Sequence, residues 1–144
     1  MTFQYENVKD FMTAFGQDTP ETIKMPDYKT QTLRHRLIEE ESMELYNAKN
    51  IVEYTDAIID ILYVTLGAAI AAGIGPETLQ HAWNEVHRSN MSKFWNGEEV
   101  EKAPKSSIIV KLNKDRYIVR DPNGKVIKSP GYSKANLEFV KEAK

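Results

Sequence analysis

The chain of 144 residues contains no cysteine, which excludes disulfide bonds, thiolate metal sites and cysteine nucleophiles. Its formal net charge is only −2, so no general attraction to nucleic acid or to an anionic membrane is expected. The first ten residues lack the basic start and apolar run of a secretory signal. With 41% hydrophobic and 28% charged residues, the composition is typical of a globular protein, and we expect a reducing, cytoplasmic location.

Long uninterrupted apolar runs are also missing. The most apolar stretch, Ala57–Ile74, contains Asp60 near its start, and the remainder is shorter than the roughly 20 residues that cross a bilayer. We therefore interpret this stretch as the buried central helix of a bundle and expect no membrane partner.

Helical spacing of apolar residues recurs in four segments, residues 7–16, 28–50, 50–75 and 76–95. Gly16 is expected to end the first segment, and Pro76 suits the first turn of the fourth. Four helices with short connections predict an all-α domain over residues 1–97, arranged as an antiparallel four-helix bundle. Residues 98–144 contain β-branched runs and the turn signal Asn123-Gly124, which predict a short C-terminal β-hairpin and tail that pack on the same domain.

The second helical segment carries glutamates among its apolar positions. On a helical wheel, Glu41 and Glu44 fall within the apolar arc, three residues apart and therefore adjacent. Glu40 lies at the edge of that arc, whereas Glu39 points away from it. The pattern predicts an inward-facing carboxylate pair.

The third segment repeats this arrangement, because Glu53, Asp56 and Asp60 share one face. The helical neighbours of Asp60 are apolar, and a buried, unpaired carboxylate costs several kcal/mol or becomes protonated. A hard divalent cation would relieve both the burial and the repulsion between two acidic helices, and carboxylate oxygens suit Mg²⁺ or Mn²⁺. The two segments together predict a metal site.

Simpler interpretations remain open from the sequence. Glutamate-rich helices are most often solvated faces, and Asp60 could form a structural ion pair with Arg34, Arg36 or Arg88. A di-iron bundle is disfavoured, because such sites use Glu-x-x-His pairs and no histidine here lies three residues after a glutamate.

The end of the fourth segment is basic and polar. Asn90 and Lys93 lie one turn apart, with Arg88 close by, and such side chains can contact phosphates. The alternative is a solvated helix C-terminus, where cations are favoured by the helix dipole.

Three stretches, "LRHRLIEEESMEL", "DAIIDILYV" and "VHRSNMSK", resemble the MazG-like branch of the all-α NTP pyrophosphatase superfamily. Within that branch, the closest resemblance is to a bacterial and phage group labelled Cof-like phosphohydrolases. The resemblance covers residues 5 to 97, and "DPNGKVIKSPGY" resembles the C-terminal element of the same group.

The resemblance implies a Mg²⁺ site, for which Mn²⁺ can substitute. The superfamily places an acid three residues before the position of Asp60, but Ala57 stands there in this chain. Asp56 is the favoured replacement, with Glu53 as the alternative. The implied metal ligands are Glu41, Glu44, Asp60 and Asp56.

The implied activity is hydrolysis of an NTP or dNTP to the monophosphate and pyrophosphate, by water attack between the α- and β-phosphates. The resemblance makes Glu40 and Glu41 the catalytic pair, with Glu40 orienting or deprotonating the water, and Asn90, Lys93 and Arg88 the phosphate contacts. It also implies a homodimer or homotetramer. Two alternatives remain, a non-catalytic nucleotide- or metal-binding module and phosphoribosyl-ATP pyrophosphatase.

Overall fold

A computed structural model describes the fold of residues 2–144, with side chains from residue 4 onward. This part of the chain is mostly helical with one small antiparallel sheet, which confirms the predicted helices and hairpin at that level. A fifth, one-turn helix was not predicted. The elements are α1 (Thr2–Ala14), α2 (Tyr28–Asn47), α3 (Ile51–Ala71), α4 (Pro76–Met91), α5 (Gly97–Val100), β1 (Ile108–Lys111) and β2 (Tyr117–Arg120).

Local sequence signals explain where the longer helices begin and end. Asp27 caps α2 by accepting a hydrogen bond from the backbone N–H of Thr30 at 2.7 Å, and Asn50 caps α3 in the same way. Gly73 follows α3 with a φ of +67°, and a side chain there would collide with the backbone oxygen of Thr22. The α3 terminus therefore depends on glycine at this position.

The chain divides into two compact units. One comprises the residues up to Gln80 together with Glu138–Lys144, and the other comprises His81–Leu137. In the first unit, α3 packs against both α1 and α2. Its core consists of the buried residues Tyr5, Val8, Met12, Ile70 and Ala71.

The prediction of a buried central helix is only partly right for α3. The helix does pack between partners, but its buried residues are Ala57, Gly67, Ile70 and Ala71, while Ile59 is 55% exposed and Val52 is 75% exposed. α3 is also the one described helix that is long and apolar enough to cross a membrane. Its two aspartates would be costly in lipid, and the helix packs against α1 and α2.

In the second unit, β1 and β2 pair antiparallel, with Ile108 opposite Arg120. The unit is centred on the buried residues Trp95 and Val119, and the indole N–H of Trp95 donates to the carbonyl of Ile127 at 2.8 Å. Asn123-Gly124 does form a turn, but this turn leads from β2 to Val126, which makes an isolated bridge with Arg120. The β1–β2 connection consists of residues 112–116, where Lys114 and Asp115 have positive φ, and this second turn was not predicted.

The four-helix bundle and the division near residue 97 stay predictions. The helix contacts described above involve α1, α2 and α3, and the compact units are not divided at residue 97.

Candidate functional site

Glu41 lies on α2 where that helix packs against α3. Its side chain is half-buried, and its Oε2 atom is buried without any hydrogen-bond partner. Buried polar atoms in native proteins almost always have a partner, and an unsatisfied one costs about 1–3 kcal/mol or more. The carboxylate of Glu41 is therefore energetically unfavourable unless something else binds it.

The surroundings of Glu41 are acidic. Burial raises the pKa of its carboxyl group, and the charges of four further carboxylates raise it again. We call these five residues the acidic cluster, and its members are Glu41, Glu44, Asp60, Glu40 and Asp56. The structure thus brings the predicted metal ligands Glu44, Asp60 and Asp56, and the predicted base Glu40, close enough to Glu41 for their charges to act on its carboxyl group.

The members of the acidic cluster differ in exposure. Glu41 and Asp60 are half-buried, whereas Glu44, Asp56 and Glu40 are exposed. The prediction that Glu44 faces inward is therefore wrong for the single chain, because the helix turns its side chain to the open end of the α2–α3 groove. Glu39 is exposed, as predicted, and its carboxylate lies 4.0 Å from His35.

The geometry favours Asp56 over Glu53 as the additional α3 acid. The carboxylate of Glu53 accepts hydrogen bonds from the backbone N–H of Lys49 at 2.8 Å and the side chain of Asn50 at 2.7 Å, so it is engaged at the start of α3. Asp56 contributes to the raised pKa of Glu41, and Glu53 does not. Ala57, which stands where the superfamily pattern has an acid, is 2% exposed.

A shallow cavity of about 250 Å³ opens beside the acidic cluster. Glu44 and Asp56 line it from α2 and α3, together with Asn47, Ala48 and Glu53. Oxygen ligands and open access are what a hydrated Mg²⁺ ion with bound phosphates requires.

The structural ion-pair interpretation of Asp60 is not supported. Within residues 2–144, Asp60 makes no ion pair, Arg34 contacts Gln17, and Arg88 contacts Glu85. No three acids or histidines of the described chain converge tightly enough to form a ready-made metal cage. The acidic cluster is therefore a set of spaced carboxylates around Glu41, and its charge is not neutralised by an arginine.

The predicted phosphate contacts belong to the second unit. Lys93 Nζ donates to Asn90 Oδ1 at 2.8 Å, which confirms that these two side chains face the same side of the helix end. The guanidinium of Arg88 binds Glu85 through two hydrogen bonds of 2.8 Å and also donates to the carbonyls of Ser133 and Lys134. Arg88 is thus largely engaged in structure.

Sequence reasoning missed the role of Glu85. Its carboxylate accepts from both Arg88 and the backbone N–H of Asn136, and these interactions lower its pKa to about 2. The i, i+3 spacing of Glu85 and Arg88 is a signal for this ion pair, but the contact with Asn136 is not visible in the sequence.

Comparison with known families identifies the superfamily to which the chain belongs. Residues 8–90 match the family described as phosphoribosyl-ATP pyrophosphohydrolase, part of the MazG-like all-α NTP pyrophosphatase superfamily. The matched region includes the whole acidic cluster and ends at Asn90, before Lys93 and the hairpin. No curated protein matches the chain significantly. The predicted superfamily is confirmed, and the likeness to the Cof-like group stays a prediction.

Proposed function

Because the chain belongs to the phosphoribosyl-ATP pyrophosphohydrolase family, it is an enzyme that hydrolyses a phosphoanhydride bond, and we propose that it acts on nucleoside triphosphates. The proposed reaction is attack of water between the α- and β-phosphates of an NTP or dNTP, which releases the monophosphate and pyrophosphate. A role in maintaining the cytoplasmic nucleotide pool is part of this proposal.

One observation carries the proposal, the buried and unpartnered Oε2 of Glu41 within the acidic cluster. Without a bound cation these carboxylates repel one another, and this repulsion lowers the free energy of unfolding. Residues that lower stability in this way are typical of functional sites. A triphosphate is itself an anion, so the acidic cluster needs a cation in order to bind it.

The donor set fits Mg²⁺, with Mn²⁺ as a substitute, because every donor is a carboxylate oxygen and none is nitrogen or sulfur. We propose Glu41, Glu44, Asp60 and Asp56 as the residues that hold it. When bound, Mg²⁺ would neutralise phosphate charge in the transition state.

Glu40 is the proposed base. It is exposed, so water reaches it, and it lies close enough to Glu41 to raise the pKa of that residue. Its carboxylate would orient the attacking water and accept its proton. Glu41 would contribute to catalysis as the half-buried carboxylate among the proposed metal ligands.

Asn90 and Lys93 are proposed as phosphate contacts on the basis of the superfamily resemblance. Their mutual hydrogen bond supports a joint role, since an amide and an ammonium group held together present donors to one anion. Arg88 is proposed only as an additional contact, because Glu85 already binds two of its nitrogens.

Phosphoribosyl-ATP is the second candidate substrate, and the description of the matching family favours it directly. The same α–β bond is cleaved in both candidates, so the acidic cluster serves either substrate. The two candidate substrates differ in the group that the protein must accommodate beyond the base, because phosphoribosyl-ATP carries an additional phosphoribosyl group.

Self-association into a homodimer or homotetramer is also part of the proposal. The described chain exposes large apolar side chains along α2 and α3, including Tyr46 at 83% exposure, Val52 at 75% and Ile59 at 55%. Apolar surfaces of this kind usually mark protein interfaces. Analytical ultracentrifugation tests this, and we expect a mass of two or four chains for the wild type and a smaller species for Ile59→Glu.

A pyrophosphate-release screen tests the proposed activity. The panel contains the NTPs, the dNTPs and phosphoribosyl-ATP, each with Mg²⁺, with Mn²⁺ and with EDTA. We expect metal-dependent release from at least one triphosphate. Release from phosphoribosyl-ATP alone would replace the first candidate by the second, and no release from any substrate would refute both.

A further inference from the structure

A second cavity, of about 350 Å³, lies at the beginning of α2. Its walls come from residues 17–27, the first two turns of α2 and Ala71 of α3. None of the lining residues belongs to the acidic cluster or to the predicted phosphate contacts. We propose that this cavity binds a phosphate ester through the guanidinium of Arg34.

Arg34 is partly buried between the helices of the first unit. Its Nη2 donates to Gln17 Oε1 at 2.9 Å and lies 3.8 Å from the sulfur of Met12 on α1. On the other side it lies against Gly67 of α3, where a Cβ atom would be only 2.9 Å from Arg34 Nη1. Glycine at position 67 therefore makes room for the guanidinium.

The charge of Arg34 is not neutralised. Among residues 2–144 no carboxylate lies within ion-pair distance of it, and its buried Nε has no hydrogen-bond partner. Burial lowers the pKa of the guanidinium. A partly buried cation without a counter-charge is unfavourable, and a phosphate in the cavity supplies that counter-charge.

The two acids that line the cavity do not supply that counter-charge. The Asp18 side chain is 82% exposed and lies 3.9 Å from Lys24, and Asp27 is engaged in capping α2 through Thr30. The beginning of a 20-residue helix adds partial positive charge. The acids of the cavity wall thus have partners of their own, whereas no acid is paired with the guanidinium of Arg34.

The size of the cavity indicates more than an inorganic ion. Small-molecule sites begin at about 300 Å³, so this cavity admits a phosphate with a sugar-sized body. Met25 and Leu33 provide apolar wall area for that body. Ribose 5-phosphate is therefore a suitable probe.

The cavity is also separate from the acidic cluster. Arg34 precedes Glu41 by seven residues on α2, which places it on the same face about 10 Å away. The phosphate could be the far end of a nucleotide held at the acidic cluster, or it could belong to a separate sugar phosphate.

Isothermal titration calorimetry of the full chain with ribose 5-phosphate tests the site directly. EDTA is present, so that a divalent cation at the acidic cluster does not contribute. We expect binding by the wild type and by the control Arg36→Met, an exposed arginine on the same helix. Arg34→Met should bind at least about tenfold more weakly, the loss expected for one charge-assisted hydrogen bond. Equal binding by Arg34→Met, or equal binding of uncharged ribose by the wild type, would overturn the proposal.

Gly67→Ala is a second variant that keeps the arginine. The added methyl group displaces the end of a flexible side chain, while alanine raises helix propensity, so we expect a folded protein. Weakened ribose 5-phosphate binding in this variant supports the site. Wild-type binding, with the fold verified by circular dichroism, argues against it.

Competition between ribose 5-phosphate and the substrate in the pyrophosphate-release assay identifies the source of the phosphate. This experiment rests on the proposed function. If ribose 5-phosphate inhibits pyrophosphate release competitively, the site belongs to the substrate. If it binds without raising KM, the site serves a separate ligand. A failure of the proposed activity leaves the calorimetric result intact.

Discussion

Glu41 on α2 and Glu85 on α4 are the same residue type in opposite situations. The carboxylate of Glu85 is bound by Arg88 and by the backbone of Asn136, and its pKa falls to about 2. The carboxylate of Glu41 has a buried oxygen without a partner, and burial together with neighbouring acids raises its pKa. One glutamate is satisfied by the chain and the other is not.

The difference separates a structural role from a functional one. A satisfied carboxylate fixes two segments together, here α4 and the residues near position 136. An unsatisfied carboxylate within an acidic cluster lowers stability, and it is retained where binding of a cation or a substrate compensates.

The largest expected effect is on activity. Replacing Glu41 or Asp60 by alanine should lower the rate of pyrophosphate release by at least about 100-fold, because each removes a carboxylate from the proposed metal site. The rate is measured with the substrate that the screen identifies. Glu39→Ala, an exposed neighbour outside the acidic cluster, is the matched control and should keep the wild-type rate.

A normal rate in both Glu41→Ala and Asp60→Ala would show that the acidic cluster has no part in catalysis. A loss of rate in Glu39→Ala as large as in these variants would point to a general effect on α2 instead.

The next largest effect is on the melting temperature when Glu85, the glutamate paired with Arg88, is replaced. Glu85→Gln should lower the melting temperature by a few degrees at pH 7, because it removes a charge that Arg88 binds. The folded-state pKa lies below the ordinary 4.5, so the stabilisation is present above pH 4.5 and is lost as the pH falls towards 2. Melting curves of the wild type and Glu85→Gln should therefore converge between pH 4.5 and 2, and a difference that persists at pH 2 would be inconsistent with this ion pair.

The smallest expected effect is a rise in melting temperature, opposite in sign to the effect of Glu85→Gln. Glu41→Gln should raise the melting temperature slightly at pH 7 in EDTA, because it removes a charge that burial and four acids disfavour. The folded-state pKa lies above 4.5, so the cost is present at neutral pH and absent below pH 4.5. The same melting series measures it, and a lower melting temperature for Glu41→Gln at pH 7 would mean that the carboxylate is satisfied after all.

Much of the first unit could be predicted from the sequence, because apolar periodicity, Gly16 and the capping aspartate are local signals. The acids that surround Glu41 were also predictable, since i, i+3 and i, i+4 spacing decides which side chains share a helix face. The exposure of Glu44 was not, because it depends on how far α3 covers α2.

Contacts between distant segments could not be predicted either, because they depend on tertiary packing and not on local sequence spacing. The hydrogen bond from Asn136 to Glu85 joins residues that are 51 positions apart, and the Gly67 contact with Arg34 joins two helices. The β1–β2 turn uses Lys114 and Asp115 at positive φ, although neither is glycine or asparagine, so the Asn123-Gly124 signal was the stronger one in the sequence.

Binding of Mn²⁺, followed by electron paramagnetic resonance at pH 7, tests most directly whether the unsatisfied carboxylates serve a cation. The wild type and Glu85→Gln should bind Mn²⁺ equally, and Glu41→Gln should bind at least about tenfold more weakly. Equal Mn²⁺ binding by Glu41→Gln and the wild type would contradict the assignment of the acidic cluster as the metal site.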